Sequence, residues 1–227
     1  MTPLWDRLNE YADSLKGKFD TYFIRYDNPK YDEGMHFDGW TDLFWRSQHV
    51  RKCHLKTIQP KDMKSLWLMH INIFPEVGHE IPILGFDIVA GPKKITGSFM
   101  DYSPLHGYNH NYNAHMHSMV RDLEWNKPRE LPPWAKEIFS EDMIAVGNIK
   151  DGEELDQFME VTTDLVDYYL ANMRYQCHHS NRDTKPILNK YCINQKMNPH
   201  LHRSILAMGI SEEDKDRYVN NVLFEEI

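Results

Sequence analysis

A chain of 227 residues, 41% of them hydrophobic, is long enough for one large domain with its own core and too apolar for wholesale disorder. A formal net charge of −8 suits a nucleic-acid binder poorly, because phosphate contacts need clustered Lys and Arg. No apolar run approaches the roughly 20 residues of a membrane span, residues 1–15 lack the apolar stretch of a secretory signal, and the scattered cysteines Cys53, Cys177 and Cys192 read as free thiols, so a cytoplasmic monomer is expected.

Leu4, Leu8, Tyr11 and Leu15 recur at helical spacing and predict an amphipathic helix over residues 4–19. A short strand is expected at 21–26, then a loop over 27–41 that contains Asn28-Pro29. A block of strands follows at 49–58, 66–74, 81–90 and 94–101, with joins short enough to make neighbours antiparallel. Residues 102–133 are irregular apart from a helical stretch near 115–123, and 143–148 supplies another strand. The remainder is helical: 152–177 with Leu155, Phe158, Val161, Leu165 and Tyr168/Tyr169 on one face, then 183–196, 200–208 and 212–222. These elements predict a single α/β domain over residues 1–227: a central antiparallel sheet with helices on both faces, an α/β/α sandwich.

Side chains alternate across a strand. On the second strand of the block, Trp67, Met69, Ile71 and Ile73 form an apolar face, while Leu66, Leu68, His70, Asn72 and Phe74 form the other. On the third, Ile83, Gly85, Asp87 and Val89 share a face. His70 and Asp87 therefore interrupt strands otherwise fit for burial on both sides. Gly85 withholds side-chain volume beside Asp87, as a ligand pocket requires. A buried carboxyl tends to neutralise through a raised pKa and becomes a competent acid. A histidine, with an ordinary pKa of about 6.5, can relay the proton. The competing reading is a satisfied structural His–Asp hydrogen bond.

The chain has 13 histidines, with pairs at His115-x-His117, His178-His179 and His200-x-His202. Without HExxH or a close cysteine pair they do not compose a metal site, and none is expected. The absence of G-x-G-x-x-G and of a P-loop argues against a nucleotide fold of either type.

Three segments are similar to the ferredoxin-dependent bilin reductase family, most of all to its phycocyanobilin-forming branch. The first holds Arg51-Lys52-x-His54-Leu55, His70-x-x-x-Phe74-Pro75-Glu76 and Pro82-x-x-Gly85-x-Asp87-Ile88-Val89-Ala90-Gly91-Pro92. The second is Arg129-Glu130-Leu131-Pro132-Pro133-Trp134, continuing to Glu137-Ile138-Phe139-Ser140-Glu141. The third carries Cys177-His178, Tyr191-Cys192 and Val222-Leu223-Phe224. The resemblance implies a bilin lying between the sheet and the C-terminal helices. Asp87 then matches the family's central carboxyl, His70 its partner, His54 a further strand histidine, and Arg129 the base that grips a propionate. Two positions depart from the branch. Lys56 stands where it carries a glutamate, and Asn198-Pro199-His200 stands where the family tends to carry an aspartate facing the pocket.

The implied activity is reduction of biliverdin IXα by single electrons from reduced ferredoxin, with the bilin as a bound radical and no permanently bound cofactor. The Lys56 departure points to phycoerythrobilin, by way of 15,16-dihydrobiliverdin, with phycocyanobilin as the alternative product. A non-catalytic bilin or haem carrier is the rival of a different class, and it would not need both His70 and Asp87. The expected partners are ferredoxin and, downstream, a bilin acceptor or lyase. Acidic ferredoxin would dock on local positive charge, for which Arg51, Lys52, Lys93 and Lys94 are the candidates.

Overall fold

In the computed structural model, the described residues are 2–31, 39–60, 66–105, 110–150, 152–175 and 183–227. Eight antiparallel strands among them make one sheet: β1 (Ile24–Arg25), β2 (Trp40–Arg46), β3 (Val50–Ile58), β4 (Trp67–Pro75), β5 (Ile83–Ala90), β6 (Lys94–Ser103), β7 (Ile144–Val146) and β8 (Ile149–Lys150). They lie in sequence order from β1 to β7, and β8 pairs with β6. The helices are α1 (Pro3–Tyr22), α2 (His110–Val120), α3 (Pro133–Lys136), α4 (Glu153–Asn172), α5 (Lys185–Lys196), α6 (Pro199–Ala207) and α7 (Glu212–Tyr218), the last running into a π-helical turn at Val219–Leu223. The expected sandwich is present.

One sheet face forms the main core. Trp67, Met69, Ile71 and Ile73 of β4 and Leu84, Phe86 and Ile88 of β5 pack against Leu8, Leu15 and Phe19 of α1 and against Phe158, Leu165 and Tyr169 of α4. Thr2 caps α1 by accepting from the Trp5 amide, and Pro3 needs no amide partner in the first turn. Indole N–H groups then fix the helix on the sheet: Trp5 donates to the Gly91 carbonyl at 3.0 Å, Trp45 to Asp20 at 2.7 Å and Trp67 to Asn9 at 2.8 Å. The opposite face carries Phe44, Phe74 and Ile83, packed against Leu188 and Tyr191 of α5, Ile205 of α6 and Val222 and Phe224 beyond α7.

A strand occupies part of what reads in sequence as the loop's end and the unassigned residues after it. In β2, Trp40, Asp42 and Phe44 alternate with Leu43 and Trp45, and Trp45 enters the main core. A bulge in β3 also matters for the site. The register shifts between Val50 and Lys52, so Arg51 and Lys52 both lie against Phe74 on the second face.

Candidate active site

Register brings polar side chains from five strands into two adjacent rows on the face beneath α5–α7. One row is Asp42, Lys56, His70, Asp87 and Phe99, and the next is Phe44, His54, Asn72, Gly85 and Asp101. A core-facing sheet of this size would ordinarily be apolar there, because each buried polar group needs a partner.

Asp87 accepts from His70 Nδ1 at 2.5 Å, directly across the β4–β5 ladder. His70 is nearly covered, with Phe224 edge-on at 5.8 Å, but the Asp87 side chain is 38% exposed. This corrects the expectation of a buried carboxyl. Asp87 lies in a half-open stretch of sheet with Leu68, Val89 and Phe99. Gly85 also differs from expectation. A Cβ there would meet the Tyr191 hydroxyl at 2.8 Å, so the volume it withholds is filled by Tyr191. Arg129 borders the half-open stretch. Its guanidinium lies 5.9 Å from the Phe99 ring and donates to the Thr96 carbonyl, while its backbone amide donates to Ala145. Gly147 makes room for it, since a Cβ would meet Arg129 Nε at 2.6 Å.

His54 and Lys56 lie under cover. The His54 ring is stacked on Phe44 at 4.6 Å, and its Nε2 bonds Asp42 at 2.5 Å. The Asp42 side chain is fully buried and also accepts from the Tyr218 hydroxyl at 2.7 Å and from the Trp40 indole. Burial pushes Asp42 up, but the bonds from His54 and Tyr218 and the charge of Lys56 outweigh it and hold the carboxylate below its ordinary range. Burial drives His54 down to about 4, so it is neutral at pH 7 and donates from Nε2. The Lys56 ammonium sits 3.8 Å over the Trp40 ring and 5.1 Å from that of Tyr218, and burial lowers its pKa to about 8. Neither Asp42 nor Tyr218 stands out in the sequence. Apart from Trp40, two residues before it, Asp42's partners are 12 and 176 residues away. Asp101 ends the second row. It is held by Ser103 and Ser140, and burial raises it to about 6.

Other expected positions fall elsewhere. Asn198 caps α6, its Oδ1 accepting from the His200 amide at 3.0 Å, and His200 is exposed. Lys52 is buried and donates to the Val222 and Leu223 carbonyls at 2.6 and 3.1 Å, which removes it from any docking surface. Arg51 is partly covered, its guanidinium 4.6 Å over Phe74. Lys93 and Lys94 are exposed at the β5–β6 turn. His115 stacks on Tyr168 at 3.7 Å, His117 bonds Asp142 and His202 bonds the Lys196 carbonyl. No group of three or more His, Cys, Asp or Glu among the described residues could hold a metal ion. Cys53 and Cys192 are free and buried, while Cys177, His178 and His179 lie outside the described residues. No described helix is long and apolar enough to cross a membrane.

The sheet and the helices packed on it have counterparts among known proteins. This chain belongs to the ferredoxin-dependent bilin reductase family, whose sequence model matches residues 32–225. It is 30% identical over 242 residues to the phycocyanobilin:ferredoxin oxidoreductase of Gloeobacter violaceus, covering 98% of this chain and 90% of that protein. Identity to the Prochlorococcus marinus protein of the same name is 27%, over 79% of this chain and 73% of that one. Two solved structures share the fold. Phytochromobilin synthase from tomato, in complex with biliverdin, has a TM-score of 0.75 at 15% identity and covers 97% of this chain and 82% of its own. PcyX has a TM-score of 0.63 at 22% identity, with coverage of 97% and 99%. The protein is thus an oxidoreductase of the ferredoxin-dependent bilin reductase class.

Proposed function

We propose that this protein reduces biliverdin IXα with single electrons from reduced ferredoxin, and that its main product is phycoerythrobilin, formed through 15,16-dihydrobiliverdin. The observation that carries the reading is Asp87: a carboxylate on a half-open, otherwise apolar stretch of sheet, 2.5 Å from His70 Nδ1. Leu68, Val89 and Phe99 offer a flat apolar floor for a tetrapyrrole. Arg129 at its border offers a planar guanidinium to a propionate. The bilin accepts the electrons itself, so no permanently bound cofactor is required. Each electron must be matched by a proton, or charge accumulates in a site of low dielectric. A proton taken up from solvent at the half-exposed Asp87 carboxyl passes to the bilin, and the His70 Nδ1–H stabilises the carboxylate left behind.

The product follows from Lys56. Where the phycocyanobilin-forming branch places a glutamate, this chain places an ammonium turned onto Trp40 and Tyr218, away from the half-open stretch. Its lowered pKa makes it a readier acid than an ordinary lysine, but its position withholds that proton from the ligand. The D-ring vinyl group then survives, and reduction goes to the C15 bridge and afterwards to the A-ring. Asn198 is engaged as a helix cap where the family carries an aspartate, so the A-ring step is the slower one and the dihydro intermediate builds up. A second reading, phycocyanobilin as product, is favoured by the names of the relatives. Anaerobic incubation with biliverdin IXα and reduced ferredoxin, followed by chromatography against standards, separates the two. A vinyl-bearing product absorbing at shorter wavelength than biliverdin is expected. An ethyl D-ring would overturn the product assignment, and a fixed, shifted biliverdin spectrum without turnover would overturn the activity.

A further inference from the structure

Behind His70 runs a hydrogen-bonded chain of side chains from β4 and α5. Gln195 Nε2 lies 2.9 Å from the Tyr191 hydroxyl, which lies 3.3 Å from Asn72 Oδ1. Asn72 Nδ2 lies 2.8 Å from His70 Nε2, and His70 Nδ1 lies 2.5 Å from Asp87 Oδ1. Asn72, Tyr191 and Gln195 are all buried, so no link is exchanged freely with solvent. Gly85 is part of the arrangement, because the Tyr191 hydroxyl occupies the space its Cβ would take.

The links fix one another. A carboxamide NH2 only donates, so Gln195 spends the acceptor side of Tyr191 and the tyrosine proton must go to Asn72 Oδ1. Asn72 then turns its own NH2 to His70, and Nε2 must present a lone pair. The ring proton is left on Nδ1, facing Asp87. From this geometry we propose that Asn72, aimed by Tyr191 and Gln195, is a positioning residue that holds His70 neutral and protonated on Nδ1. His70 can take a second proton only when the whole chain reverses polarity. In the reversed form His70 Nε2–H donates to Asn72 Oδ1, Asn72 Nδ2 to Tyr191, and Tyr191 to Gln195 Oε1. Both forms pair a donor with an acceptor at every contact along the chain. Any partial reversal sets donor against donor in a buried site. His70 therefore keeps its one ring proton on Nδ1, donated to Asp87, between electron arrivals. Among the described residues, the titratable groups facing His70 and this chain include Asp87 from β5, His54 and Lys56 from β3, Asp101 from β6 and Tyr191 from α5.

The inference deepens the proposed function, since it takes His70 as the proton holder, but its test needs no turnover. Protein labelled with 15N-histidine, free of bilin, would be titrated by two-bond 1H–15N correlation, with His70 assigned by comparison with His70→Gln. Wild type is expected to show His70 protonated on Nδ1 alone at pH 7–8. In Asn72→Asp a carboxylate replaces the donor at Nε2, so both ring nitrogens should carry protons at that pH, with the midpoint raised by about one unit or more, a tenfold change in proton affinity. Tyr191→Phe removes the hydroxyl that aims Asn72 and should give a mixture of tautomers. An Nε2–H or doubly protonated His70 in wild type would overturn the inference, as would an unmoved midpoint in Asn72→Asp. Should Asn72→Asp not fold, Tyr191→Phe decides, and a single Nδ1–H tautomer persisting there overturns it. If the tautomer result holds while biliverdin is not reduced, the functional reading fails and the positioning role stands.

Discussion

At the scale of single residues, the proposed function turns on Asp87 and Lys56. Asparagine at 87 keeps the shape and an acceptor for His70 but cannot supply a proton at neutral pH. Asp87→Asn is therefore expected to bind biliverdin normally and reduce it at least about 100-fold more slowly, in line with the usual contribution of a positioned acid. Binding titration and anaerobic turnover check this, and a rate within a factor of two of wild type would remove Asp87 from the chemistry. Lys56→Glu restores the branch's acid beside Asp42, its cross-strand neighbour. Two carboxyls so placed cannot both ionise, so one holds a proton and becomes a donor. The variant should convert part of the product to phycocyanobilin, and an unchanged chromatogram would show that position 56 does not choose the product. The sequence makes His70, Asp87 and Lys56 legible because each breaks a strand pattern or a family motif. Asp42 breaks neither, and only folding brings Tyr218 to it. Asn72 is visible as a polar interruption of β4, and Tyr191 and Gln195 stand four apart on one helix, yet nothing in one dimension says that they meet.

At the scale of elements, the β3 bulge and the C-terminal π turn are coupled through Lys52. Its ammonium satisfies two carbonyls of the turn, Val222 and Leu223, and so holds Phe224 edge-on to His70. Burial lowers Lys52 from 10.5 to about 7. Below that pH the lysine is charged whether folded or unfolded, and its burial weighs fully against folding. Between about 7 and 10.5 the unfolded chain still holds a proton that the folded one has released, so stability rises with pH. The neutral amine keeps two N–H donors for the two carbonyls. Urea midpoints from pH 6.5 to 9 should climb in wild type relative to Lys52→Met, and parallel curves would show that Lys52 does not titrate in this window. The longer helices and the four long strands β3–β6 were readable because their periods of 3.6 and 2 are carried by their own residues, whereas the four-residue α3 was not. β2 was not, because a run of aromatics around Asp42 resembles a loop end until β3 pairs with it.

For the whole molecule, the question is how an acidic protein meets an acidic donor. With a net charge of −8, long-range attraction must come from a local concentration of positive charge. Burial removes Lys52 from consideration, and Arg51 is held over Phe74. Lys93, Lys94, Lys127, Arg129 and Lys150 are all exposed, and they gather around the β6–β8 edge. Lys94 faces Lys150 across the ladder there, and the backbone of Lys127 and Arg129 bonds Gly147 and Ala145 beside it. This edge adjoins the half-open stretch that holds Asp87, so a donor docked on it would sit close to the ligand. Reversing charge at Lys93 and Lys94 leaves the proposed propionate contact at Arg129 intact and separates docking from binding. Lys93→Glu combined with Lys94→Glu should raise the KM for ferredoxin about tenfold at low ionic strength, within the usual range for steered encounters. The difference should shrink in roughly 0.5 M salt, where the screening length falls to a few ångströms, and turnover with a small neutral chemical reductant should be unaffected. An unchanged KM at low salt would move the docking surface elsewhere on the molecule, whereas an equal loss with the chemical reductant would show that the substitutions had disturbed the site itself.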